Sequence, residues 1–109
     1  MLIMIAGPYR HGSSDAELWK SNLQKLNEAA LEVFKKGHTP LIGVNAVLPI
    51  IEIAGIEHFD KMMMPVCLVL ADKCDAILRI GGNSAGADEE VKVFLQKGLP
   101  VYYDVAALP

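Results

Sequence analysis

Apolar residues in this chain fall into short unbroken runs, separated by longer stretches in which they recur every third or fourth position. Leu2 to Ala6 is such a run, halted by Gly7-Pro8, and its lack of alternation suits a strand covered on both faces. After Gly12, Ser13 and Ser14 offer N-caps to a helix in which Trp19, Leu23, Leu26, Ala30 and Val33 repeat at spacings of four and three. That helix ends at Gly37, with Lys35 and Lys36 in its last turn, where positive charge complements the dipole. Thr39 to Val44 predicts a second strand with Pro40 tolerated near its start, and Asn45 to Gly55 a loop or short helix. His58 to Lys73 predicts a helix interrupted or kinked at Pro65. Met62, Met63, Met64, Val66, Leu68, Val69 and Leu70 make it apolar on more than one side, so it needs two neighbours. Ala76 to Ile80 is a third strand, Gly81 to Gly86 a loop, Asp88 to Lys97 a helix stopped by Gly98, and Pro100 to Tyr103 a fourth strand.

Strands alternating with helices predict an α/β fold: a single three-layer, doubly wound domain over residues 1–109. Its mostly parallel sheet of four strands takes the order 2-1-3-4 by the flavodoxin-like pattern. In such a sheet the ligand crevice lies outside the carboxyl ends of the strands, where successive connections leave in opposite directions. That point falls between strands one and three. The segments leaving them, Gly7-Pro8-Tyr9-Arg10-His11-Gly12 and Gly81 through Gly86, are therefore expected to face each other.

Composition narrows the function classes. With 109 residues, 52% hydrophobic, 21% charged, and a mean hydropathy of +0.31, the chain is expected to collapse around one core rather than remain disordered. A net charge of −3, a pI near 5.5 and scattered basic residues argue against nucleic acid as a partner. No apolar stretch approaches the roughly 20 residues of a membrane span, and no secretory leader is visible, so the expected location is the cytoplasm. Cys67 and Cys74, seven apart, are read as reduced core residues on one helix face, with no His beside them at ligand spacing and no metal site proposed. His38, directly after Gly37, is read as a capping residue.

Glycines such as Gly82 in the second loop let the backbone approach a ligand, and the helix that follows presents unpaired N–H groups. Asp88, Glu89 and Glu90 crowd the expected first turn of that helix, where their ordinary work is to complement its dipole. Three carboxylates also repel a phosphate, so the nearest part of a ligand is expected to be neutral or cationic as it reacts, as an oxocarbenium-like sugar centre is. A carboxylate at a helix N-terminus is expected to stay ionised at neutral pH, which suits a nucleophile.

Two motifs then point to a family. Ile5-Ala6-Gly7-Pro8-Tyr9, together with Ser84-Ala85-Gly86-Ala87-Asp88-Glu89-Glu90-Val91 and the later Gly98-Leu99-Pro100-Val101, resembles the nucleoside 2-deoxyribosyltransferase superfamily, which includes 2'-deoxynucleoside 5'-phosphate N-hydrolases. The likeness runs from Ile3 to Tyr103. It implies a nucleophilic glutamate four residues after the glycine of the Ser-x-Gly motif and eight before the glycine that ends the helix, and both counts select Glu90. It also implies that Gly7, Tyr9, Arg10 and Gly12 surround the base, sugar or 5'-phosphate, and that Ser84 and Gly86 contact sugar or phosphate. Arg10 suits a bidentate phosphate pair. The chain departs from the family at the aspartate that protonates or orients the leaving base, because the matching position falls near Cys67. A thiol on an apolar helix is a poor acid for that task. Asp60 is the candidate replacement, with His58 and Asp72 as weaker ones.

The expected activity is cleavage or transfer of an N-glycosidic bond on a nucleoside or nucleoside 5'-monophosphate, without a cofactor. Water as acceptor makes it a hydrolase and a second base makes it a transferase. The alternative is a nucleotide-binding module that keeps the crevice and has lost the chemistry. The Met-rich helix, with Ile50, Ile51 and Ile53, offers more apolar surface than one sheet face covers, so a homodimer or larger homo-oligomer is expected.

Overall fold

The computed structural model describes residues 1–10 and 12–109. Its four strands are β1 (Leu2–Ala6), β2 (Thr39–Leu41), β3 (Ala76–Arg79) and β4 (Val101–Tyr102). They form one wholly parallel sheet in the order β2-β1-β3-β4, the order expected from the sequence. The helices are α1 (Ala16–Lys35), α2 (Gly43–Ala54), α3 (Phe59–Asp72) and α4 (Ala85–Lys97), with short 3-10 turns at Ile56–His58 and Val105–Ala107.

The central strands explain why their apolar runs do not alternate. In β1, Ile3 and Ile5 pack with Leu26 and Val33 of α1 on one face. Met4 and Ala6 pack with Ala71 of α3 and with Val91 and Phe94 of α4 on the other. α2 stands outside these layers, with Val47 and Ile51 packed on Met63 and Cys67 of α3.

Several boundaries differ from the sequence reading, each for a local reason. Asp15, rather than Ser13 or Ser14, caps α1: its Oδ1 accepts from the Glu17 amide at 3.0 Å, and the Ser13 hydroxyl braces it by accepting the Asp15 amide. β2 stops at Leu41, because the chain turns into α2 at Gly43. A Cβ there would lie 2.5 Å from the Cys67 Sγ, so only glycine lets α2 approach α3 this closely. Asn45 to Ala54 is therefore helical although Pro49 sits inside it. Likewise α3 runs uninterrupted through Pro65, whose ring is on the exposed side. Cys74 lies beyond the end of α3, so the two cysteines do not share a helix face; both are buried and free.

α4 begins three residues earlier than expected. Ser84 caps it, accepting from the Ala87 amide at 3.1 Å, and Gly98 ends it in the left-handed conformation at φ 69°. Gly86 is thus in the first turn rather than in the loop, and Glu89 and Glu90 move into the second turn.

No helix among the described residues is long and apolar enough to cross a membrane.

Candidate active site

β1 and β3 are neighbours, paired from Ile3 with Ala76 to Ala6 with Arg79, so the segments that follow them leave the sheet side by side. They touch at the base of the crevice: the Ile80 amide donates to the Ala6 carbonyl at 2.8 Å. A Cβ on Gly7 would sit 2.7 Å from the Ile80 carbonyl oxygen, and one on Gly81, at φ +76°, would sit 2.8 Å from Cδ of Pro8. Both glycines are required by this close approach. Above the contact opens a cavity of about 540 Å³.

The first loop contributes Gly7, Tyr9, Arg10 and Gly12 to the lining, and α4 with its cap contributes Ser84, Gly86 and Glu90. α3 adds Asp60 near the mouth and Met63, Met64 and Cys67 along the wall. Every residue expected to bind or react is therefore brought together here except Gly82. The Gly82 carbonyl instead accepts from Nη2 of Arg79 at 2.8 Å, which draws the turn toward the strand end, and the neighbouring Asn83 lines the cavity. The weaker candidates lie elsewhere: exposed His58 is 3.7 Å from Glu57, and Asp72 pairs with Lys97 at 3.2 Å at the far end of α3. His11 lies outside the described residues.

The three acids of α4 separate sharply by environment. Asp88 and Glu89 are exposed, Asp88 bonded to Nε of Arg79 at 3.2 Å and Glu89 to Lys92 at 2.7 Å. Glu90 is 9% exposed and faces the cavity. Loss of water around its carboxylate pushes its pKa from 4.5 up to about 7, while the positive charge of Arg79 pulls the other way. The expectation of a carboxylate kept fully ionised by a helix N-terminus is thereby corrected. Glu90 is one turn too far along the helix for the terminal dipole to dominate, and burial outweighs the rest.

The sulfur wall stays neutral. Cys67 donates to Sδ of Met63 at 3.6 Å, and burial, with the Glu90 charge adding to it, pushes the thiol up to about 12. Opposite in character is the mouth, where the Arg10 guanidinium carbon lies 4.3 Å from the Trp19 ring centre and 4.4 Å from that of Phe59. The Tyr9 ring stacks on Phe59 at 6.0 Å, and the Tyr9 carbonyl accepts from Asn22 of α1 at 2.8 Å. Arg10 is accordingly a held cation rather than a freely solvated loop charge. Burial raises the Tyr9 pKa, chiefly opposed by Arg10, so its phenol remains a donor at neutral pH.

Comparison of the chain with family models, with curated proteins and with solved structures finds no match.

Sequence reasoning missed Phe59, Asn83 and Arg79. Phe59 was signalled only as an apolar residue at a helix start. Arg79 is a charge ending an otherwise apolar strand, and that oddity was the available clue. Among the described residues no three His, Cys, Asp or Glu side chains gather as a metal ion requires. What the arrangement brings together is one buried carboxylate in a largely apolar hollow, a held cation at the mouth and a helix start beside both.

Proposed function

We propose that the chain cleaves the N-glycosidic bond of a nucleoside or nucleoside 5'-monophosphate, with Glu90 as nucleophile. The observation that carries this reading is that, of three consecutive acids, only Glu90 is withdrawn from water and aimed into the cavity. The ionised carboxylate attacks the anomeric carbon, and the carbon–nitrogen bond breaks with its electron pair leaving on the base. Asp60, on the same cavity, is the candidate proton donor to that base. Water or a second base then displaces the glycosyl ester and restores Glu90. Arg10, whose guanidinium lies over both the Trp19 and Phe59 rings at the cavity mouth, pairs with a 5'-phosphate, and Ser84 and Gly86 border the sugar. No cofactor is needed for these steps.

A second reading, a binding module without turnover, is favoured by the neutral Cys67 where the resembling family carries an aspartate. Base release from a panel of nucleosides and their monophosphates, followed chromatographically, separates the two. The glycosidase reading expects release that falls at least 100-fold in Glu90→Gln. Calorimetric binding with no release by the parent chain supports the module, and release surviving in Glu90→Gln above a tenth of the parent rate removes Glu90 from its role. Because attack needs the ionised form, kcat/KM is expected to climb with pH through about 7.

The homo-oligomer belongs to the same proposal. Ile50 and Ile53 of α2 and Val66 and Val69 of α3 are exposed, Ile53 by 91%, although Ile51 and Met63 are buried within the fold. Light scattering at micromolar concentration is expected to give at least twice the monomer mass, and a monomer there refutes it.

A further inference from the structure

Two charged side chains are buried among the described residues, Arg79 and Glu90, and only one of them has partners in hydrogen-bonding reach. The Arg79 guanidinium uses all three nitrogens. Nη1 donates to the Ile80 carbonyl at 2.6 Å, Nη2 to the Gly82 carbonyl at 2.8 Å, and Nε to Oδ1 of Asp88 at 3.2 Å. The first two bonds fold the side chain back over the turn that follows its own strand. The third reaches across to α4, two residues before Glu90. A lysine carries its three donors on a single nitrogen and has no planar fork, so it cannot span the acceptors that three separate guanidinium nitrogens reach here.

That turn is a structural part of the crevice. It touches the first loop through Gly81 and Pro8, and it leads directly into Asn83 and Ser84, which line the cavity. Any loosening of Ile80 to Gly82 shifts both the rim of the site and the cap from which α4, and Glu90 with it, begins.

We propose that Arg79 is a positioning residue for Glu90: it ties the turn after β3 to the start of α4 and holds a fixed positive charge in the acidic region of that helix. The inference rests on Glu90 as the reacting carboxylate. The other titratable groups around Glu90 do not supply such a charge. Cys67 of α3 and Cys74 beyond it are held neutral by burial, at about 12 and about 11. Asp60, which shares the cavity, and Asp88 and Glu89 on the same helix are acids, while Lys92 and Lys97 of that helix are exposed and paired with Glu89 and Asp72. Tyr9 is a phenol, and Arg10 is engaged at the mouth between Trp19 and Phe59. Arg79 is the cation whose field reaches Glu90 and favours its ionised form, consistent with the direction in which it moves the Glu90 titration.

The test reads Glu90 directly, by carboxyl-carbon NMR titration of the full chain labelled at glutamate, assigned through Glu90→Gln. The parent midpoint is expected near 7. In Arg79→Met it is expected to rise by about one unit. An unchanged midpoint in the folded Met variant overturns the proposal. Arg79→Lys keeps the charge and loses the fork, so its Glu90 midpoint is expected to stay with the parent while the Gly81 and Gly82 amides exchange about tenfold faster. Turn amides as slow as in the parent, or a midpoint that rises in the lysine variant, overturn it, and this arm decides the matter if the Met variant does not fold. Base release by the parent is measured alongside. A parent that releases no base refutes the glycosidase reading and leaves the titration result intact, whereas base release with an unmoved midpoint refutes only the role of Arg79.

Discussion

The two ends of the sheet are built on opposite electrostatic terms. At the amino ends of the strands, polar groups are exposed and paired: Oδ2 of Asp75 accepts from the Leu2 amide at 2.7 Å, and Lys97 bonds both the carbonyl and the carboxylate of Asp72. At the carboxyl ends, Glu90 is buried against its preference, the Cys67 thiol is pushed upward, and an arginine is folded inside. One end closes the domain. The other holds an unfavourable ionisation in a cavity, because burial raises the cost of the charged carboxylate there.

Glu90→Gln puts the greatest strain on that contrast. The folded pKa of Glu90 lies above its unfolded value of 4.5, so the favourable protonated state contributes fully below about 4.5 and is lost as pH rises through about 7. Replacing it by neutral Gln is expected to raise unfolding free energy by on the order of 3 kcal/mol at pH 8 and by almost nothing at pH 4. Urea unfolding at the two pH values checks this, and equal effects at both would show that burial does not govern Glu90.

Gly43→Ala probes the packing behind the sulfur wall. The added carbon meets Cys67 Sγ at 2.5 Å, so α2 must move away from α3, with an expected loss of about 1 to 3 kcal/mol in the same unfolding assay. At the quiet end, Asp75→Ala removes the acceptor of the Leu2 amide and is expected to cost about 1 kcal/mol. Smallest is Lys97→Met, which breaks an exposed pair with Asp72, for an expected change of no more than about 0.5 kcal/mol that vanishes in high salt. An effect of Lys97→Met larger than that of Gly43→Ala would reverse the comparison.

Strand order was readable because short apolar runs ended by glycine alternate with helical stretches, and that alternation implies a parallel sheet in the flavodoxin-like order. α2 was not, because its first residue is a glycine and its middle a proline, both poor helix formers; contact with α3 overrides that local preference. The candidate site was legible in its membership, through the two glycine-bearing loops, but not in its chemistry. Apart from the motif counts that select Glu90, Asp88, Glu89 and Glu90 are near-equivalents as letters, and the packing of Ala87, Val91 and Phe94 into the core turns Glu90 inward and leaves the other two in water.

From sequence alone came the α/β alternation, which periodicity and glycine set over a few residues, and, through the topology that alternation implies, the 2-1-3-4 order and the meeting of the loops after β1 and β3. Tertiary structure alone decided that Glu90 is withheld from water, that Arg10 is held between Trp19 and Phe59, and that Arg79 turns back over its own loop. Burial and the field of a distant charge are properties of a packed neighbourhood, and residues far apart in the chain create that neighbourhood only when the sheet and helices close around it.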